Sequence, residues 1–162
     1  MPLIYPVSFN TAASLVLGGD ATAGQTFTGS DTDAGHPLAN LFDDNNATDW
    51  FSGTDDTGWV RVQFSSAKAI GRYSLRSQNT ADYDRTPLSW TLKASNTGSF
   101  AGEEVTIDTF TTSTWTQNER RQFDVANTTA YIYYRFTYLT KTNALGKGNE
   151  YTMSEMEMMA YS

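Results

Sequence analysis

Ile132-Tyr-Tyr-Arg-Phe-Thr-Tyr138 puts Ile132, Tyr134, Phe136 and Tyr138 on one face of an extended chain. A period of two is the mark of a half-buried strand. Trp59-Val-Arg-Val-Gln-Phe64 alternates in the same way. Near the end, Ser154-Glu-Met-Glu-Met158 is expected to point Met156 and Met158 inward and Glu155 and Glu157 outward. No helical period persists anywhere in the sequence.

Working outward, further strands are expected at Ser14–Leu17, Gln25–Thr28, Ile70–Ser77, Trp90–Ser95, Val105–Phe110 and Gln122–Val125. That makes about nine short strands separated by Gly, Asn, Asp, Ser and Thr clusters, the pattern of a sandwich or jelly roll. Pro37–Phe42 has room for one helical turn, and Gly18–Gly35 reads as long loops with a short strand. Trp59 and Trp90 are assigned to the core, whereas Trp115 fits either an exposed position or one packed under its loop.

The bulk numbers agree with an all-β domain. A chain of 162 residues suits one domain and can bury a sizeable core. Tyr and Phe, nine of each, favour strands. Charged residues are only 18% and the formal net charge is −7, a balance that opposes binding to nucleic-acid phosphates or anionic lipid. The absence of cysteine excludes disulfides and thiolate metal sites. The N-terminus has no basic, then apolar, signal-peptide pattern, and no apolar run is long enough to span a membrane.

Asn40-Leu-Phe-Asp-Asp-Asn-Asn-Ala-Thr-Asp-Trp50 carries side-chain oxygens at Asp43, Asn45 and Thr48. Hard cations such as Ca²⁺ take six to eight oxygens, so this loop needs a distant carboxylate to complete a shell, and Glu155 is a candidate. The alternative reading is an Asn/Asp-rich turn with no metal. The Gly and the closing Glu of an EF-hand loop are missing.

Catalysis finds little support. His36 is the sole histidine, no Gly-x-Ser-x-Gly sequence occurs, and Asp43/Asp44, Asp55/Asp56 and Glu103/Glu104 are adjacent carboxylates typical of solvated turns. The chain is expected not to be an enzyme. Whether His36 has any role is open at this point.

Ala39–Ser52 resembles the opening signature of discoidin domains, also called coagulation-factor type C domains, which include the family 32 carbohydrate-binding modules. Further blocks follow in that family's order: Gly58–Phe64, Arg85–Asn96, Ala130–Phe136 and Ser154–Met158. The resemblance runs from Pro37 to the C-terminus and leaves residues 1–36 as divergent N-terminal strands or an arm. It implies a single antiparallel jelly-roll β-sandwich with a buried structural Ca²⁺. Carried over by position, the ligands are the Asn40 carbonyl, Asp43, Asn45, Thr48, the Ser154 carbonyl and Glu155. Asp44 stands where the family has Gly, which strains the turn.

The resemblance also implies a sugar site on loops at one end, combining an aromatic platform with His, Arg and Asn. Phe51 occupies the position of the family's histidine, a departure that weakens any expectation of galactose. The nearest candidates for the remaining roles are Arg76, Asn79, Tyr83 and Arg85, with Asn143, Lys147 and Tyr151 from a later loop. Arg76 and Arg85 also suit ordinary pairing with Asp82 and Asp84. The expected function is a non-catalytic glycan-binding or adhesion module, extracellular or on a virion surface, that attaches to a carbohydrate or glycoconjugate. The alternatives are a structural virion subunit (phage tail, fibre or capsid decoration) assembling with other subunits, its apolar Met1–Phe9 acting as a docking arm, or a lipid-headgroup binder.

Overall fold

A computed structural model describes residues 15–53, 58–141 and 150–162. The described residues form eleven strands, all paired antiparallel: β1 (Leu17–Asp20), β2 (Thr26–Gly29), β3 (Trp50–Phe51), β4 (Gly58–Lys68), β5 (Ile70–Arg76), β6 (Ser89–Ser95), β7 (Val105–Thr111), β8 (Arg120–Asp124), β9 (Tyr131–Thr140), β10 (Thr152–Met153) and β11 (Glu155–Tyr161). One sheet has the order β1-β11-β5-β8, the other β2-β4-β9-β6-β7, and β3 pairs with β10 as a small ribbon. Single 3-10 turns occupy Leu38–Phe42, as the sequence suggests, and Ala81–Arg85.

Alternation decides which side chains the two large sheets share. Val60, Val62 and Phe64 from β4, Leu92 and Trp90 from β6, and Tyr134, Phe136 and Tyr138 from β9 meet Tyr73, Leu75, Met156 and Met158 from the opposing sheet. These residues are essentially excluded from solvent. Trp90 donates to Tyr73 Oη at 2.8 Å, and Tyr73 donates to Asp108 Oδ2 at 2.6 Å, so the buried polar atoms form a relay. Trp115 packs below its loop, with its indole N–H on the Pro87 carbonyl at 2.8 Å.

Three expectations are corrected. Trp59 is half-buried on the outer face of the five-stranded sheet, because its parity opposes that of Val60 and Val62. Glu155 does not point to solvent: its side of β11 turns toward the Asp43–Thr48 loop, which takes it out of water. The first strand lies downstream of Ser14–Leu17. Pairing with β11 sets its start at Leu17, and the Asp20 carboxylate closes its end by accepting from Thr22 N at 3.1 Å and Met158 N at 3.1 Å. Leu15 and Val16 are exposed. The two-residue strands β3 and β10 are too short to leave a period in the sequence.

The strand β1 is an edge, and its beginning meets the end of β11. Leu17 pairs with Tyr161, and Ser162 N donates to the Val16 carbonyl at 3.0 Å. Among the described residues, no helix is long and apolar enough to cross a membrane. The proposed docking arm Met1–Phe9 lies outside the described residues.

Candidate functional site

Two polar centres occur near the loops that connect the sheets. The first is the acidic loop after the Leu38–Phe42 turn. Thr48 Oγ1 donates toward both Asp43 oxygens, at 3.0 and 2.8 Å, and the Asn45 amide reaches Asp43 Oδ1 at 3.0 Å. Asn45 Oδ1 accepts from Ala47 N at 3.1 Å. Asp44 has φ 57, the left-handed region where the family's glycine would sit without strain. Asn40 uses its side chain to hold the Asp49 carbonyl at 2.8 Å, and Ser154 N donates to the Arg76 carbonyl at 3.0 Å.

Glu155 closes this centre from β11. Its side chain is buried, and among the described residues neither carboxylate oxygen has a hydrogen-bond partner. Burial, with Asp43 and Asp44 close by, pushes the carboxyl up to about 8, against the Asn45 backbone N–H, which favours the charged form. Among the described residues no three His, Cys, Asp or Glu side chains converge on one point, so a cation here would have two carboxylates and otherwise neutral oxygens. A buried carboxylate with orphaned oxygens, facing an exposed second acid, is what a hard cation resolves. The donor set therefore fits Ca²⁺.

The second centre is built on β3 and the Ala81–Arg85 turn. The Phe51 ring stacks on the His36 imidazole at 3.9 Å, with planes 10° apart, and the Arg85 guanidinium lies 4.8 Å from the same ring centroid. Phe51 therefore touches both groups. It orders His36 and Arg85 rather than offering a platform of its own. The Asp49 carboxylate is shared between His36 Nδ1 and Gln78 Nε2. Gln78 Oε1 and Arg85 Nε are buried without partners among the described residues. Arg85 further pairs with Glu150 at 2.8 Å and Asp82 at 3.2 Å.

Of the residues picked from sequence, Phe51 and Arg85 come together here. Asn79 is exposed nearby, its carbonyl accepting from Gln117 at 3.1 Å. Tyr83 is half-buried against the core, and Arg76 turns away to bond Asn118 Oδ1 at 2.9 Å. Tyr151 is corrected: it is buried against Tyr138, ring centroids 4.3 Å apart, and β10 draws it into the core. Asn143 and Lys147 lie outside the described residues. His36, Asp49, Gln78 and Glu150 were not singled out as ligand-site residues by the sequence. Only Asp49, inside the Asn40–Trp50 loop, carried any local signal, and the pairing with Gln78 has none.

No family model matches the sequence, and no curated protein matches it. Solved structures do share its architecture. A chitosan-binding module from a chitosanase/glucanase of Paenibacillus sp. IK-5 superposes with a TM-score of 0.68 at 21% identity, covering 86% of this chain and 97% of that one. The family 32 module of C. perfringens NanJ, solved with galactose, gives 0.70 at 12% identity, covering 89% and 99%. An F5/8 type C domain from Bacteroides fragilis gives 0.72 at 14% identity, covering 90% and 97%. The chain thus has the discoidin-like β-sandwich fold of family 32 carbohydrate-binding modules and F5/8 type C domains.

Proposed function

We propose that this protein is a non-catalytic glycan-binding module whose sugar site is the His36–Asp49–Gln78–Arg85 centre. The observation that carries the reading is the Asp49 carboxylate held between His36 and Gln78, beside an Arg85 fixed on Phe51. Sugar hydroxyls both donate and accept, and a site that fixes them needs a few convergent polar groups on a stiff frame. Asp49 and the unpartnered Gln78 Oε1 supply acceptors, Arg85 supplies a donor, and the half-exposed imidazole of His36 adds a flat face. The groups pair with one another and leave no acid–base couple poised across a cleft. Galactose with the NanJ module and GalNAc-β-1,3-galactose with another C. perfringens module, both sharing this fold, support a carbohydrate as the ligand.

The acidic loop serves the same module as a structural Ca²⁺ clip. Asp43, Asn45, Thr48 and Glu155, with the Asn40 and Ser154 carbonyls, are the groups that would hold the ion. When bound, Ca²⁺ supplies the positive charge that the buried Glu155 carboxylate lacks. Asn40 then transmits order to the sugar site, since its amide grips the carbonyl of Asp49.

The test is a glycan array followed by calorimetry on the best hit, with wild type and Asp49→Asn compared at matched folding. Binding should fall at least about tenfold in the variant, the loss of one charge-assisted bond. An array without hits, or equal binding by the variant, overturns the reading.

A further inference from the structure

The outer face of the five-stranded sheet carries a feature that the loop site does not use. Adjacent strands place Arg61, Arg135 and Lys93 side by side: Arg61 is the cross-strand partner of Arg135 on β9, and Arg135 is that of Lys93 on β6. Like charges directly opposite one another destabilise a sheet. Lys93 is relieved by Glu104 at 2.9 Å. Arg61 and Arg135 have no carboxylate in ion-pair reach among the described residues. In a chain of net charge −7, this unrelieved pair stands out.

Both guanidiniums are fixed in place. Arg61 lies 5.7 Å from the Trp59 ring centroid and 5.5 Å from that of Tyr133, and it bonds Thr28 Oγ1 and the Gly98 carbonyl, each at 3.0 Å. Arg135 sits 4.2 Å from the Phe100 ring centroid, and its Nε is buried without a partner. Burial and the neighbouring Arg61 push Arg135 below its ordinary guanidinium value, while Glu104 and Glu103 pull the other way. Those two carboxylates are already committed, Glu104 to Lys93 and Glu103 to Ser95, Thr97 and the Phe100 and Ala101 amides. The loop that bears Gly98 and Phe100 folds onto this face and makes one wall. Gly98, at φ 74, lies so close to Tyr133 that a Cβ would come within 3.0 Å of the ring.

We propose that this face is a second carbohydrate site, selective for uronate-bearing polysaccharide. A sugar carboxylate bridges Arg61 and Arg135, and its ring lies beside Trp59 and Tyr133. Two forked donors match a carboxylate, and the anion removes the repulsion that the free protein bears. The half-exposed aromatics supply the apolar contact that a sugar ring prefers. This site is separate from the His36–Asp49 centre and does not depend on it.

The experiment is native electrophoresis through gels containing alginate, polygalacturonate, a neutral galactomannan or poly-L-glutamate. A chain of net charge −7 is repelled by polyanions in general, so retardation on a polyuronate reports specific recognition. Wild type should be retarded on at least one polyuronate, and the effect should weaken as salt rises. Arg135→Gln, a residue with no hydrogen bond to lose among the described residues, should weaken retardation at least about tenfold without lowering the melting temperature. Arg61→Gln should weaken retardation as well, at some cost in melting temperature because its bonds to Thr28 and Gly98 are lost, and Asp49→Asn should leave the effect intact. No retardation of wild type on either polyuronate, or unchanged retardation of Arg135→Gln, overturns the proposal. Equal retardation on poly-L-glutamate overturns it too, because carboxylates without sugar rings would then suffice.

Discussion

Glu155 is buried with its carboxylate beside Asp43, a residue from a loop far earlier in the chain, and among the described residues neither of its oxygens is hydrogen-bonded. Without a cation this arrangement costs stability. With Ca²⁺ it becomes the bond between the loop and the last strand. Millimolar Ca²⁺ should therefore raise the melting temperature, by an amount equivalent to about 2.7 kcal/mol when the ion is at a hundred times its Kd. Glu155→Gln should melt no lower than wild type in chelator, because burial already opposes the charged form of this carboxyl, and should gain nothing from Ca²⁺. A wild type whose melting temperature ignores both Ca²⁺ and chelator would remove the clip.

Asp44 occupies the left-handed conformation that glycine adopts freely, and it adds a third acid beside Glu155. Asp44→Gly should stabilise the chelated protein by up to about 1 kcal/mol, the left-handed strain outweighing glycine's entropy cost. Differential scanning calorimetry in chelator reads this as a rise of a few degrees. A fall would mean that the Asp44 side chain is needed where it stands.

The Trp90–Tyr73–Asp108 relay predicts a cost out of proportion to one oxygen atom. Tyr73→Phe preserves the ring but leaves the Trp90 indole N–H without its acceptor inside the core. Urea unfolding should show a loss of about 1–3 kcal/mol, the penalty of an orphaned buried donor. A neutral result would require Trp90 to find another acceptor.

Glu103 pins the loop against the outer sheet, and hydrogen bonds from Thr97, Ser95 and nearby amides hold its carboxyl well below the usual carboxylate range. A depressed folded-state value means that the contribution is fully present above the ordinary carboxylate range and fades as pH falls through and below it. The melting-temperature gap between wild type and Glu103→Gln should thus be largest near neutral pH and shrink as the pH drops toward 3. A gap that grows on acidification would contradict the assignment.

Where side chains alternate along a strand, the sequence spoke plainly. Val60, Val62 and Phe64, and Tyr134, Phe136 and Tyr138, face inward as their period requires. At Trp59 side-chain type and parity disagree: a large aromatic suits the core, and its parity places it outside. Glu155 shows the converse, since parity sent it outward and a loop then covered it. The Ser154 carbonyl is legible only through the resemblance, whereas coordination chemistry alone already makes Glu155 a candidate. The His36–Phe51 stack and the Asp49–Gln78 bond join segments with no shared period or spacing, so only the folded chain brings them together. Trp115 had two readings in sequence, and the Pro87 carbonyl decides between them.

Val16 and Ser162 are hydrogen-bonded neighbours at one corner of the four-stranded sheet, and β1 is its edge. A load applied between these two points acts across the β1–β11 ladder. It breaks the Ser162–Val16 bond first and then the pairs from Leu17–Tyr161 toward Asp20–Met159, in order, never several at once. Under tension through that corner the sheet opens like a zip fastener, at low force. A pull along the strands would have to shear the whole ladder together. Mechanically, then, this corner is a release catch and not a strut.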